Sequence, residues 1–237
     1  MEKEKKRSII PTIIILVGFV ITLFIISFTL DVHNEALLKK EIVGINNVLN
    51  SEDFDEEELD ARLNRTITEN EYQEVELSYK AYMKDNIKIL NELKEFYSVD
   101  ETNNILTVEN LTSDGKDLKV SKALINTSIK NLKKIEKKYN NSFEDDYVMS
   151  YIEDKNLDKK YIEFYKNEIQ NNLRKTSTEK ELSESISKSL EKYELIKETL
   201  DFLVENKNNY IIEDNELKFN DTSLLDKYNS FVENINE

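Results

Sequence analysis

Apolar residues recur at helical spacing along most of this chain, but at its start they run together. From Ser8 to Leu30 a 23-residue stretch carries no charge. At about 1.5 Å per residue, a helix of that length spans roughly 35 Å against a hydrocarbon core of about 30 Å. The pattern therefore predicts a transmembrane helix over 8–30. Beyond it, Tyr72, Val75, Tyr79, Tyr82, Met83, Leu90, Leu93 and Tyr97 form one apolar stripe. Leu182, Ile186, Tyr193, Ile196, Leu200 and Leu203 form another. Each stripe follows a Thr with a Glu three residues on, Thr68 with Glu71 and Thr178 with Glu181, which is the spacing of a reciprocal capping box. Helices are expected near 32–65, 68–97, 117–139, 143–173, 178–206 and 222–235.

Two islands interrupt the helical period in similar ways. Asn103-Asn104-Ile105-Leu106 follows the first striped helix, and Asn208-Asn209-Tyr210-Ile211 follows the second. Glu109-Asn110 then corresponds to Asp214-Asn215, residue pairs that tolerate the positive φ of a tight hairpin turn. Leu118, Ile125 and Ile129 correspond to Leu224, Phe231 and Ile235 at a constant shift of 106. The expectation is a duplicated unit of helix, helix, short β-hairpin and helix. A cytoplasmic tail (1–7) and a signal anchor (8–30) would precede helical unit 1 (31–140) and helical unit 2 (141–237). The expected fold class is all-α: a single transmembrane helix, then an elongated helical-bundle ectodomain of two repeated three-helix units with hairpin insertions. The two hairpins are expected to pair with each other, because an isolated two-stranded ribbon is marginal in water.

Charge orients this arrangement. Lys5, Lys6 and Arg7 precede the apolar span and Asp31 and Glu35 follow it, so the positive-inside rule places the N-terminus in the cytoplasm and the remainder outside. A cleavable signal peptide would have a shorter apolar run ending in small-x-small, for which only Ser27-Phe28-Thr29 offers itself. After Leu30 there are 29 bases against 46 acids, a net charge of −17. That field disfavours nucleic acid and anionic lipid and favours cations or basic partners. The absence of cysteine excludes disulfides, thiolate metal sites and cysteine nucleophiles. Three glycines and one proline starve both all-β turns and phosphate-cradling loops. The abundance of Lys, Asn, Ile and Glu is typical of AT-rich bacterial genomes.

Candidate chemistry is sparse. His33 is alone, with no second His or Cys for a zinc site, and reads as a solvated residue beside the membrane. Residues 51–61 hold seven acids and no base, but Glu58 and Asn64 stand where a calcium loop requires Gly and Glu, leaving at most an exchangeable cation patch. Ser-x-x-Lys occurs at Ser177/Lys180, Ser185/Lys188 and Ser189/Lys192, without the Lys-Thr-Gly that serine acyl-enzymes require. Residues 116–138 carry eight lysines against two acids. Lys130, Lys133, Lys134, Lys137 and Lys138 form the candidate interaction surface, against the plainer reading of a solvated face that complements acidic neighbours. Tyr147, Tyr151, Tyr161, Phe164 and Tyr165 are expected in the core or at its boundary.

The layout of tail, anchor and helical ectodomain is similar to chemoreceptor sensing domains, but no second apolar span returns the chain to a signalling module, and no family is assigned. The reading is a non-enzymatic, single-pass bacterial membrane protein with no catalytic, cofactor or metal residues. Its extracytoplasmic helical domain would bind or scaffold an envelope component, such as another envelope protein or an anionic wall polymer, with self-association compatible. The alternative is a small-ligand or cation sensor working through a separate membrane partner.

Overall fold

The computed structural model describes residues 29–51, 53–99, 101–173 and 177–236. They form helices α1 (29–49), α2 (Glu56–Asn64), α3 (Glu71–Ser98), α4 (Val108–Asp114), α5 (Lys119–Asn141), α6 (Asp145–Met149), α7 (Lys159–Leu173), α8 (Ser177–Glu205) and α9 (Thr222–Asn236). Short 3₁₀ turns at Glu101–Asn104 and Glu153–Lys155 and one hairpin, β1 (Tyr210–Glu213) and β2 (Glu216–Phe219), complete the described chain. The protein is mostly helical, as the hydrophobic spacing predicts. Among the described residues no helix is long and apolar enough to cross a membrane. The predicted span 8–30 lies outside them, except for Thr29 and Leu30, which are helical.

The chain divides into two compact units that interleave along the sequence. Unit 1 comprises residues 1–84 and 148–172; unit 2 comprises 85–147 and 173–237. The boundary at 140/141 drawn from the repeat falls at the end of α5, inside unit 2.

In unit 2 the apolar faces of α5 and α8 meet. Leu118, Ile125, Ile129, Leu132, Ile135 and Tyr139 are buried against Ile186, Leu190, Tyr193, Ile196, Leu200 and Leu203. Each fully buried Leu or Ile contributes about 1.5–3 kcal/mol. Leu224, Phe231 and Ile235 of α9 pack on the same cluster, partly exposed. Most positions of the two predicted stripes are buried. In α3, however, Leu90 and Tyr97 are exposed and Ile89 is buried beside Leu93. The start of α5 is organised by Asp114, whose carboxylate accepts from the Val120 and Ser121 N–H groups at 3.0 and 2.7 Å.

Several expectations are corrected. The first island is no hairpin. Thr107 caps α4 by accepting from the Asn110 N–H at 3.3 Å, and Gly115 ends the helix at φ +72°. The second island is a hairpin, with Asp214 and Asn215 at φ 56° and 61° as its two loop residues and Tyr210 paired with Phe219. What separates them is the sequence after the turn pair: Leu217 and Phe219 alternate with polar residues, whereas Leu111-Thr112-Ser113-Asp114-Gly115 reads as a helix with its stop signal. The described residues therefore hold one sheet of two strands, and the expected pairing of two hairpins has no second member there. The hairpin packs instead on the helices, through contacts such as Phe219 with Phe202 and Tyr228.

The expected helix over 32–65 breaks at 50–55, where Asp55 caps α2 by accepting from the Glu58 N–H at 2.9 Å. The one expected over 143–173 breaks at Asn156, which sits at φ 52°. Nor does Thr68 form a capping box with Glu71: its hydroxyl donates to Glu76 at 2.6 Å, and α3 begins after Asn70 at φ 55°. Thr178 lies within α8, which opens at Ser177.

Because both loop residues of the hairpin hold positive φ, Asn215→Gly is expected to raise the thermal midpoint. Asn215→Val, β-branched in a left-handed conformation, should cost about 1–2 kcal/mol in a denaturant titration.

Candidate functional site

The densest chemistry among the described residues is a buried ion cluster in unit 1. α1 supplies Glu41, the end of α2 and the residue after it supply Arg62 and Arg65, and α3 supplies Glu76 and Lys80. Lys80 is 2 % exposed, Glu41 2 % and Glu76 0 %. The Lys80 ammonium donates to Glu76 Oε1 at 2.6 Å, to the Arg65 backbone carbonyl at 2.9 Å and to Glu41 Oε1 at 3.2 Å, so each of its three N–H groups has an acceptor. Glu76 accepts in addition from the Ile67 and Thr68 N–H groups at 3.0 and 2.9 Å and from the Thr68 hydroxyl. One carboxylate thus fixes the loop that enters α3.

Glu41 receives both guanidinium groups. Arg65 donates through Nε at 2.8 Å and again through Nη2, and Arg62 donates through Nη1 at 3.1 Å. Arg62 also forks onto Glu58 at 2.9 and 2.7 Å. Gly44, one turn after Glu41, lets the guanidinium lie on α1: a Cβ there would stand 2.3 Å from Arg62 Nη1. Three carboxylates, Glu41, Glu58 and Glu76, meet three cations, Arg62, Arg65 and Lys80, and the cluster is neutral. Burial would raise the Glu41 carboxyl, but the bonds from Arg65 and Lys80 outweigh it and hold its pKa below the ordinary value.

A second polar cluster surrounds the first described turns of α1. Asp31 accepts from Lys160 and from the Tyr161 hydroxyl at 3.0 Å. Glu35 accepts from Lys39 at 2.7 Å and from the Tyr72 hydroxyl at 3.1 Å. The Tyr72 ring meets Tyr161 and Phe164 edge-on, with centroids 5.0 and 5.6 Å apart. Burial, reinforced by Glu35, pushes the Tyr72 hydroxyl pKa up, while Lys39 draws Glu35 down. Tyr161 and Tyr165 are buried, and Tyr147, Tyr151 and Phe164 are half-buried.

Lys5, Lys6 and Arg7 lie outside the described residues. The five lysines of α5 divide. Lys133 pairs with Glu194 at 2.7 Å and Lys138 with Glu92 at 2.5 Å, complementing acidic neighbours. Lys130, Lys134 and Lys137 are exposed, and among the described residues no acid pairs with them. They are spaced i, i+4, i+7 on one face of α5. Lys134 lines a groove of about 530 Å³ between α3 and α5, floored by Phe96, Leu124 and Ile135 and bounded on the α3 side by Glu92, Glu95 and Val99.

The other sequence features take structural places. In the acidic stretch, Asp55 caps α2, Glu58 holds Arg62, and Asp60 accepts from the Asn64 amide at 2.7 Å. No group of three or more metal-ligating side chains occurs among the described residues. His33 is exposed. Ser185, Lys188, Ser189 and Lys192 line an open cleft of about 710 Å³ with Glu181, Glu184 and Glu191. There the Ser189 hydroxyl accepts from the Tyr97 hydroxyl at 3.0 Å and donates to the Ser185 carbonyl. Ser177 and Lys180 lie among residues whose side chains are not described.

The buried cluster left a trace in the sequence. Glu76 and Lys80 interrupt the face that carries Tyr72, Val75, Tyr79 and Met83, and Glu41 sits between Leu38 and Ile45. Charges inside apolar stripes are the mark of a buried pair.

Comparison with protein-family models, curated proteins and solved structures finds no match to this chain.

Removing one partner strands the others without solvent, so Lys80→Met is expected to destabilise the protein by about 3–5 kcal/mol in guanidinium titration. Glu41, with a depressed folded pKa, contributes stability that is present above the ordinary carboxyl pKa of about 4.3 and is lost as pH falls through the lower folded value. Thermal midpoints should therefore drop below about pH 4, and less steeply in Glu41→Gln.

Proposed function

We propose that this chain is a non-enzymatic, single-pass membrane protein of a bacterial envelope whose helical domain, outside the cytoplasm, binds or scaffolds another envelope component. The observation that carries the reading is continuity. A charge-free stretch of membrane-spanning length, with Lys5, Lys6 and Arg7 before it, runs directly into α1. The first turns of α1 are tied to the folded domain by Asp31 to Lys160 and Tyr161 and by Glu35 to Tyr72. In the sequence the charge-free stretch is followed at once by residues that are helical and packed, which suits a domain held at the bilayer surface.

An interaction role draws support from how the charges are distributed. The buried ionisable groups are bonded to one another in a neutral cluster, so their valences serve the fold. The exposed Lys130, Lys134 and Lys137 share one face of α5, and Lys134 lines a groove floored by Phe96, Leu124 and Ile135, which suits a docking face. A small-ligand or cation sensor would use convergent polar groups that remain unpaired, and the Glu41–Glu76–Lys80 cluster has spent its own.

The protein contains no cysteine, so single cysteines report topology cleanly. In intact cells a membrane-impermeant maleimide is expected to label Val32→Cys and to reach Lys5→Cys only after permeabilisation; the opposite pattern refutes the topology. A photo-crosslinker at Lys134 should capture an envelope component in living cells, and Lys130→Glu with Lys137→Glu should weaken that capture at least tenfold. Capture that ignores these charges argues against the face.

A further inference from the structure

The groove between α3 and α5 has a counterpart on the same molecule. In the loop before α2, Phe54 stands 53 % exposed in the middle of an acidic segment. The neighbouring carboxylates fall into two sets. Asp55, Glu58 and Asp60 are engaged in capping or pairing within unit 1. Asp53, Glu56 and Glu57 are exposed and, among the described residues, have no cationic partner. Three free carboxylates around an exposed phenyl therefore stand opposite, in chemistry, three free ammonium groups on one face of α5, of which Lys134 lines the groove beside Phe96 and Leu124.

We infer that the groove of one molecule receives the Phe54 loop of a second copy of this chain. The phenyl ring seats on Phe96 and Leu124, where aromatic contact adds to the burial of apolar surface. Asp53, Glu56 and Glu57 reach Lys130, Lys134 and Lys137. Glu95, on the opposite wall, fixes the polarity of the loop by repelling carboxylates toward α5. A net charge of −15 makes two copies repel at a distance, but at physiological ionic strength the Debye length is about 8 Å, and the local charges decide the contact.

The surfaces exchanged differ, one from unit 1 and one from unit 2. Exchanged reciprocally, the contact closes a two-fold dimer; exchanged one way, it closes a ring or propagates from copy to copy. Confinement to one membrane raises the effective concentration of the partners. The inference rests on the proposed interaction role and names its partner.

The test uses the full-length, cysteine-free chain, with two differently tagged variants expressed in the same cell membrane. Under mild oxidation, Phe54→Cys and Val99→Cys are expected to form a mixed disulfide at least tenfold faster than Phe54→Cys with Ile211→Cys, an exposed position on the hairpin. Lys130→Glu, Lys134→Glu and Lys137→Glu in the Val99→Cys chain should abolish it. Asp53→Lys and Glu57→Lys in the Phe54→Cys chain should restore it. For the parent pair in isolated membranes, raising salt should slow the reaction severalfold, a readout that does not depend on how the charge variants fold. Equal rates at positions 99 and 211, indifference to charge reversal or to salt, or no rescue by the swapped charges overturns the inference. Capture of a different envelope component by a crosslinker at Lys134, without the mixed disulfide, also overturns it while leaving the proposed function standing.

Discussion

The Lys80 ammonium is the constraint around which unit 1 is arranged. A buried cation is tolerated only where acceptors fill its coordination, because the desolvation of an unpaired charge costs several kcal/mol. Its acceptors come from α1, from the residue after α2 and from α3 itself. Satisfying one side chain therefore fixes three segments at once. Glu41 carries the constraint outward to Arg62 and Arg65, and Glu76 carries it to the backbone of Ile67 and Thr68. An apolar core of the same volume could hold these helices with comparable strength. With the ions present, any other register of α1 leaves a carboxylate or an ammonium buried alone.

This constraint bears on the proposed role through α1. The helix that holds Glu41 is the one that follows the charge-free stretch, and its first turns are tied down a second time by Asp31 and Glu35. Two independent polar clusters on one helix hold α1 in register within unit 1. In the proposed role, recognition would fall to side chains outside those clusters, the exposed lysines of α5.

Much of the fold was legible in the sequence because most of it is written in single-helix amphipathicity. The stripes on α5 and α8 and the turn at Asp214-Asn215 follow from local spacing and from residues that accept positive φ. Local spacing misled where similar short strings meet different neighbours. Glu109-Asn110 looks like Asp214-Asn215, but the Gly115 stop and the Thr107 cap make it helical. The break at 50–55 was hidden because an acidic run suits a helix interior and a helix start equally well. Of the candidate interaction surface, the lysine run was visible, but its division into paired and free members was not, since Glu92 and Glu194 come from other helices. The ion cluster was missed for the same reason: Glu41 and Lys80 are 39 residues apart. Only the presence of charges within apolar stripes hinted at it.

Unit 1 is assembled from two stretches of chain with residues 85–147 between them. Asp31 cannot meet Lys160 and Tyr161, nor Tyr72 meet Phe164, until that intervening segment has been made. At about 5–20 residues per second, α1 waits several seconds during synthesis with its apolar face uncovered. Unit 2 contains no residue earlier than 85, but its α8 and α9 come later still. The nascent protein thus passes through a window in which neither unit can close. A holdase bound to the emerging chain would shield it through that window.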